Sequence, residues 1–180
     1  MKTPPNVIEI FLQPGEWYFG DCDTRIRTVL GSCVSLALWH PRRRIGGMCH
    51  YMLPSRGPGR AGELDGRYAD EAMALLVREM RAAGTEPAEY QLKMFGAGNM
   101  FPGLMCLQNQ AHVPTRNMAA ARALAARYGL TVTAEHLGGA GHRHVMLDVW
   151  SGDVWVRHHP TAAAIAQCEQ CETRSECEAG

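Results

Sequence analysis

Two apolar runs separated by a short polar turn constrain this chain more than any other stretch. Residues 34–39 read Val-Ser-Leu-Ala-Leu-Trp, 40–44 read His-Pro-Arg-Arg-Arg, and 45–53 read Ile-Gly-Gly-Met-Cys-His-Tyr-Met-Leu. Apolar segments of this length around a proline-containing turn predict a β-hairpin, in which residues distant in number face each other across paired strands. Cys33 stands just before the first run and His50 lies seventeen positions on, in the second. The hairpin is the feature that brings them within reach. Cys49 is a rival thiol, but neighbours along a strand point to opposite faces, so a His50 that faces Cys33 turns Cys49 away.

A thiol beside an imidazole is the minimum equipment for nucleophilic attack on a carbonyl carbon. A free thiol with a pKa of about 8.5 is only a few per cent thiolate at neutral pH, so Cys33 needs a base. His50 is the candidate, taking the proton during attack and returning it to the leaving group. Gly31 and Ser32, just before the cysteine, permit a tight turn whose N–H groups would stabilise an oxyanion. A third residue should orient the imidazole, and Thr28, Thr24 and Ser32 are the nearest candidates. The competing reading is that Cys33 is a small buried side chain, as free cysteines usually are.

The rest of the chain supplies the frame. The 180 residues suit one domain with a sizeable core. Strands are predicted at 7–12, 17–20, 26–30, 90–95, 130–137, 143–150 and 153–158, the last two joined by a Ser151-Gly152 turn. Helices are predicted at 68–83, with Ala72, Met73, Leu76, Val77 and Met80 as its apolar stripe, and at 115–128, after Pro114 and before Gly129. Residues 54–66 read as a mobile loop. Many strands and two principal helices predict an α+β domain over 1–160, the helices packed on mainly antiparallel sheets. Beyond it, 161–167 suits a short helical piece, and the polar, acidic remainder of 161–180 reads as a loosely ordered tail.

Several function classes are set aside. The formal charge is zero and the Arg42–Arg44 run is short, which argues against nucleic acid. No stretch approaches the roughly 18 apolar residues of a membrane span, and the start lacks the apolar segment of a secretory signal. With seven cysteines in no small-scaffold spacing, the expectation is a reduced, cytoplasmic protein with free thiols. No cofactor or metal is expected. His142 and His144 alternate along a strand, but two ligands fall short of a zinc site, and they read as exposed strand histidines, with His158 and His159 at a sheet terminus. Cys168 and Cys171, with Cys177 beyond, show no fourth ligand and read as tail thiols. Met94, Met100, Met105 and Met118 are expected to fill core gaps. Gly96 to Gly98 lacks the spacing and lysine of a phosphate loop.

At the level of motifs the chain resembles the CheD family of chemoreceptor glutamine deamidases. The resemblance rests on Thr28-Val-Leu-Gly-Ser-Cys33-Val, Ile45-Gly-Gly-Met48 and His50-Tyr-Met-Leu-Pro54. It continues in Arg67-Tyr-Ala-Asp70, Lys93-Met-Phe-Gly-Ala-Gly-Asn-Met100, Arg116-Asn117, Glu135-His-Leu-Gly-Gly139 and Gly152-Asp-Val-Trp-Val-Arg157. It implies a layered α/β/β sandwich, and deamidation of glutamines to glutamate on methyl-accepting chemotaxis receptors through a thioester. The matching positions are Cys33 as nucleophile, His50 as base and Thr28 as the third member. The resemblance also implies a CheC-type phosphatase as a partner. Departures at Pro114-Thr115, Gly96-Ala97 and Ala140 to His144 bear on docking more than on chemistry. Two rivals remain at this stage: a non-enzymatic adaptor of the same fold, and a cysteine hydrolase acting on another acyl substrate.

Overall fold

The computed structural model describes residues 2–58, 62–100 and 112–161. The expectations for the 161–167 helical piece, the tail with Cys168, Cys171 and Cys177, and Met105 therefore lie outside the described residues. In chain order the elements are β1 (Ile8–Phe11), β2 (Trp17–Gly20), β3 (Thr24–Leu30), β4 (Val34–His40), β5 (Ile45–Cys49), α1 (Ala69–Ala82), β6 (Gln91–Gly96), α2 (His112–Arg127), β7 (Thr131–Leu137), β8 (His142–Asp148) and β9 (Asp153–His159). One sheet has the order β1-β3-β8-β9 and the other β2-β5-β4-β6-β7. Pairing is antiparallel except for β1 with β3 and β6 with β7. The α+β sandwich expected from the sequence is what the chain forms.

Two apolar layers hold it together. One lies between the helices and the five-stranded sheet and gathers Val34, Leu36 and Leu38 of β4, Cys49, Leu92 and Met94, with Met73, Leu76 and Met80 of α1 and Ala121 and Leu124 of α2. The other lies between the sheets and gathers Ile26 and Leu30 of β3, Ala37, Met48, Phe95, Val145 and Leu147. β4 is covered on both faces, which is why its sequence is apolar without a clean alternation. Each fully buried leucine in such a layer contributes about 1.5–3 kcal/mol by leaving water. The layers are stacked as helices, five-stranded sheet, four-stranded sheet, with the five-stranded sheet in the middle.

Local signals explain most element ends. α1 carries Asp70 and Glu71 in its first turn and Arg81 in its last, complementing the helix dipole, and stops at Gly84 (φ +69°). α2 starts at His112, earlier than the 115 expected, because Pro114 falls in the first turn where its missing N–H costs nothing. The second strand of the hairpin ends at Cys49 rather than at 53. There the 13–16 segment captures the backbone of His50, with Gly15 donating to the His50 carbonyl (2.7 Å) and His50 donating to Glu16 (2.9 Å). Pairing with β4 resumes for one step, between Val34 and Tyr51. Among the described residues, no helix is long and apolar enough to cross a membrane.

Candidate active site

Between β3 and β4 the chain leaves one sheet and enters the other, and Gly31, Ser32 and Cys33 are the residues that cross. Their three carbonyls are tied down: Gly98 donates to Gly31 (2.7 Å), the Asn117 side chain to Ser32 (3.2 Å), and Ala97 to Cys33 (2.7 Å). Among the described residues, their N–H groups donate in no backbone hydrogen bond. A turn that spends its carbonyls on the scaffold and leaves three successive N–H groups uncommitted can receive an anion. Gly31 does not take a left-handed φ; its missing side chain leaves room for Met100, whose Sδ would lie 3.1 Å from an added Cβ. Cys33 is half-buried against the inter-sheet layer.

The hairpin register puts His50 on the Cys33 face. β4 and β5 pair as Ala37 with Met48, and the Val34–Tyr51 bridge continues that register. Val34, Cys49 and Tyr51 face the helices, whereas Cys33, Ala37 and Met48 face the other sheet. His50, between Cys49 and Tyr51 in the chain, therefore shares the inner face with Cys33, one diagonal step away across the pair. Cys49 points the other way, and burial pushes its thiol up to about 12, which leaves it unreactive.

Thr28 reaches the same space from the opposite sheet. It lies on the inward row of β3 with Thr24, Ile26 and Leu30, and it is 1 % exposed against 3 % for His50, so neither has water to satisfy it. Thr28 Oγ1 lies 2.7 Å from His50 Nδ1 and 2.9 Å from the Leu12 carbonyl. A hydroxyl has one proton, so the arrangement that satisfies every group is Thr28 O–H donating to Leu12 while His50 Nδ1–H donates to Thr28. That fixes the imidazole tautomer and leaves Nε2 as the lone pair. Nε2 is buried and without a hydrogen-bond partner among the described residues. Burial also lowers the His50 pKa below its ordinary value, with the Leu12 carbonyl and Glu16 opposing in part.

The thiol is shifted the opposite way. Burial raises the Cys33 pKa, and the Ser32 hydroxyl and the residue's own N–H offset only part of the rise. At neutral pH both the thiol and the imidazole are thus uncharged, which is not a standing ion pair.

Of the predicted site residues, Thr28 and His50 touch, Cys33 shares their face, and Gly31 and Ser32 form the turn. Thr24 does not join them. It lies at the other end of β3, with its hydroxyl on Asp21 (3.4 Å). Two further residues enter that sequence reasoning did not assign. Asn117 of α2, fully buried, donates through Nδ2 to the carbonyls of Ser32 (3.2 Å) and Met52 (2.8 Å), and its own carbonyl accepts from Tyr51 Oη (2.7 Å). It thereby clamps the segments that carry Cys33 and His50. Ser35, one step beyond the Val34–Tyr51 bridge and so opposite His50, has a buried hydroxyl without a partner. Asn117 had a sequence signal: it precedes Ala121 by four and Leu124 by seven, in the buried stripe of its helix. Away from this site, His142, His144 and His159 form the one group of potential metal ligands found among the described residues.

Comparison with known proteins adds an independent line. A family profile described as CheD chemotactic sensory transduction matches residues 52–158. A probable chemoreceptor glutamine deamidase CheD of Pseudomonas savastanoi pv. phaseolicola is 51 % identical over 174 residues, covering 97 % of this chain and 98 % of the relative. A protein of the same name from Pseudomonas fluorescens is 50 % identical, over 89 % of this chain and 90 % of its own. A more distant one from Leptospira interrogans, named as a probable chemoreceptor glutamine deamidase CheD 1, is 36 % identical over 85 % and 94 %.

Proposed function

Because this chain belongs to the CheD family, we propose that it is a protein-glutamine glutaminase that converts glutamine side chains of methyl-accepting chemotaxis receptors to glutamate, with Cys33 as nucleophile, His50 as base and Thr28 orienting the imidazole. The observation that carries the mechanism is the Leu12–Thr28–His50 hydrogen-bond chain, which presets the tautomer with Nε2 as acceptor on the Cys33 face.

The reaction runs in two halves. His50 Nε2 takes the Cys33 proton as the sulfur bonds to the glutamine amide carbon. The carbonyl oxygen becomes an oxyanion, received by the free N–H groups of the 31–33 turn. The carbon–nitrogen bond then breaks, His50 returns its proton to the departing nitrogen, and ammonia leaves behind a thioester. A water molecule enters, gives its proton to His50 and attacks the same carbon. The carbon–sulfur bond breaks, the proton goes back to sulfur, and the glutamate carboxyl is released and ionises. Because the resting couple is uncharged, no ion pair has to be disrupted to begin.

The experiment is mass spectrometry of receptor before and after incubation with the purified protein. The expected result is the mass gain of NH2 replaced by OH at discrete glutamines, absent with Cys33→Ala. Cleavage of the chain would instead indicate a protease, and an unmodified receptor that still binds would indicate an adaptor. A cytoplasmic setting and a CheC-type phosphatase as second partner follow as proposals from membership of the family.

A further inference from the structure

We propose that His142, His144 and His159 form a zinc site on the outer face of the four-stranded sheet. His142 and His144 are two apart on β8 and so share a face, and His159 of β9 is the register partner of His142. One ring nitrogen of each lies within 4.8 Å of the other two. The ring centroids are 4.8 Å (His142–His159), 5.2 Å (His144–His159) and 5.6 Å (His142–His144) apart. Three imidazoles bound to one tetrahedral zinc at about 2.0–2.1 Å hold their centroids about 5 Å apart, so the rings already stand at the required separation. Side-chain rotation is what remains to bring the three nitrogens onto one ion.

The donor set selects the class of metal. Neutral imidazoles suit zinc, nickel and copper and are poor ligands for magnesium or calcium. The site is partly open to solvent, which leaves a fourth position for water, as three-histidine zinc centres have. Arg157 stands opposite His144 on the same face, and its charge opposes a cation, so binding has to come from nitrogen donation and not from local field. The site is separate from the reactive couple: Thr28 points into the inter-sheet layer, whereas its neighbours' outward row carries the histidines.

The position gives the metal a mechanical consequence. Gly141, with φ +107°, passes so close to the end of β9 that an added Cβ would lie 2.1 Å from the His159 carbonyl. From there hydrogen bonds run inward, Gly141 N–H to Asn99 (3.0 Å), Asn99 N–H to Gly139 (2.7 Å) and Gly98 N–H to Gly31 (2.7 Å). An ion joining β8 to β9 braces the outermost member of this stack, whose innermost member is the nucleophile's turn.

The test is calorimetric titration of the full chain with zinc under reducing conditions, together with cobalt substitution. One equivalent of zinc should bind and raise the melting temperature. The cobalt form should show visible ligand-field bands without thiolate-to-metal charge transfer. His144→Ala and His159→Ala should each weaken zinc binding by more than about tenfold, while Cys168→Ser/Cys171→Ser/Cys177→Ser and Cys33→Ala should retain it. Both histidines lie at the sheet surface, and a melting curve in chelator establishes that the variants fold. Absence of binding, thiolate charge transfer, or binding that survives the histidine changes and vanishes with the cysteines would overturn the proposal.

Discussion

Thr28→Val is the sharpest probe of the proposed mechanism, because valine matches threonine in shape and removes only the hydroxyl. That hydroxyl is buried and occupies two partners, His50 Nδ1 at 2.7 Å and the Leu12 carbonyl at 2.9 Å. Leaving a buried polar group unpaired costs about 1–3 kcal/mol, so the two together predict a loss of roughly 2–6 kcal/mol. For a chain of this length that corresponds to a fall of about 4–24 °C in melting temperature. The kinetic effect should be distinct. Without Thr28 the imidazole loses its fixed tautomer, and general-base catalysis is worth about 10²–10⁴-fold, so kcat should fall at least about a hundredfold. KM should hold, since a residue this buried does not touch substrate. Thr28→Ser keeps the oxygen and should restore most of kcat. The assay is initial-rate deamidation of receptor at several pH values, with melting curves on the same preparations. A Thr28→Val enzyme with ordinary kcat would refute the orienting role, as would a serine variant as damaged as the valine one.

Further outcomes follow from the same geometry. His50→Ala should abolish deamidation while leaving the pH of half-maximal Cys33 alkylation nearly unchanged, because burial, not the imidazole, sets that thiol; a large shift would place the two in an ion pair. With its pKa raised, Cys33 should be alkylated at neutral pH more slowly than the exposed Cys22, as read by peptide mass spectrometry. His50 has a lowered folded pKa, so the unfolded chain binds its proton first on acidification. Its stabilising contribution should be full above about pH 6.5 and be lost as pH falls through the folded value, as denaturant titration across that range would reveal. Asn117→Ala should cost about 2–6 kcal/mol by stranding the Ser32 and Met52 carbonyls, and should lower kcat more than it raises KM. Gly96→Ala should destabilise by more than about 2 kcal/mol in a melting experiment, because φ is +114° and the new Cβ would lie 2.2 Å from the Cys33 carbonyl.

The hairpin was legible because the turn and the apolar runs are contiguous, and its register alone places Cys33 and His50 on one face and Cys49 on the other. What the one-dimensional pattern conceals is that β3 and β4, consecutive and both apolar, belong to different sheets. The contact between Thr28 and His50 depends on that divergence, since a threonine and a histidine in one sheet at that separation would not meet. Chain position made Thr28, Thr24 and Ser32 equal candidates; the family resemblance pointed to Thr28, and packing separates it from Thr24. Asn117 falls in a recognisable motif and in the buried stripe of its helix, but nothing local signals the two carbonyls it reaches, on segments 85 and 65 positions away. His159 meets His142 because β8 and β9 pair around a four-residue turn, 149–152, with Asp148 opposite Asp153; a two-residue turn at Ser151-Gly152 would instead set His159 opposite His144.

In the proposed mechanism, the crossing at residues 31–33 explains how a half-buried, uncharged thiol would serve as the nucleophile. A cysteine within β4 would have its N–H groups committed to a ladder and its thiol sealed into an apolar layer, as Cys49 is in β5. At the crossing the backbone turns away from both ladders, so among the described residues the amides have no backbone partner while Gly98, Asn117 and Ala97 hold the carbonyls. The thiol keeps partial access, and the base is delivered from the neighbouring strand, already in the required tautomer. In that mechanism a neutral couple has a chemical advantage: with the thiol pKa raised, little thiolate is present at neutral pH, which would guard the sulfur against oxidation between turnovers. On this proposal, reactivity is set by the geometry of the backbone segments that Thr28 and Asn117 draw together, and not by the charge of any one side chain.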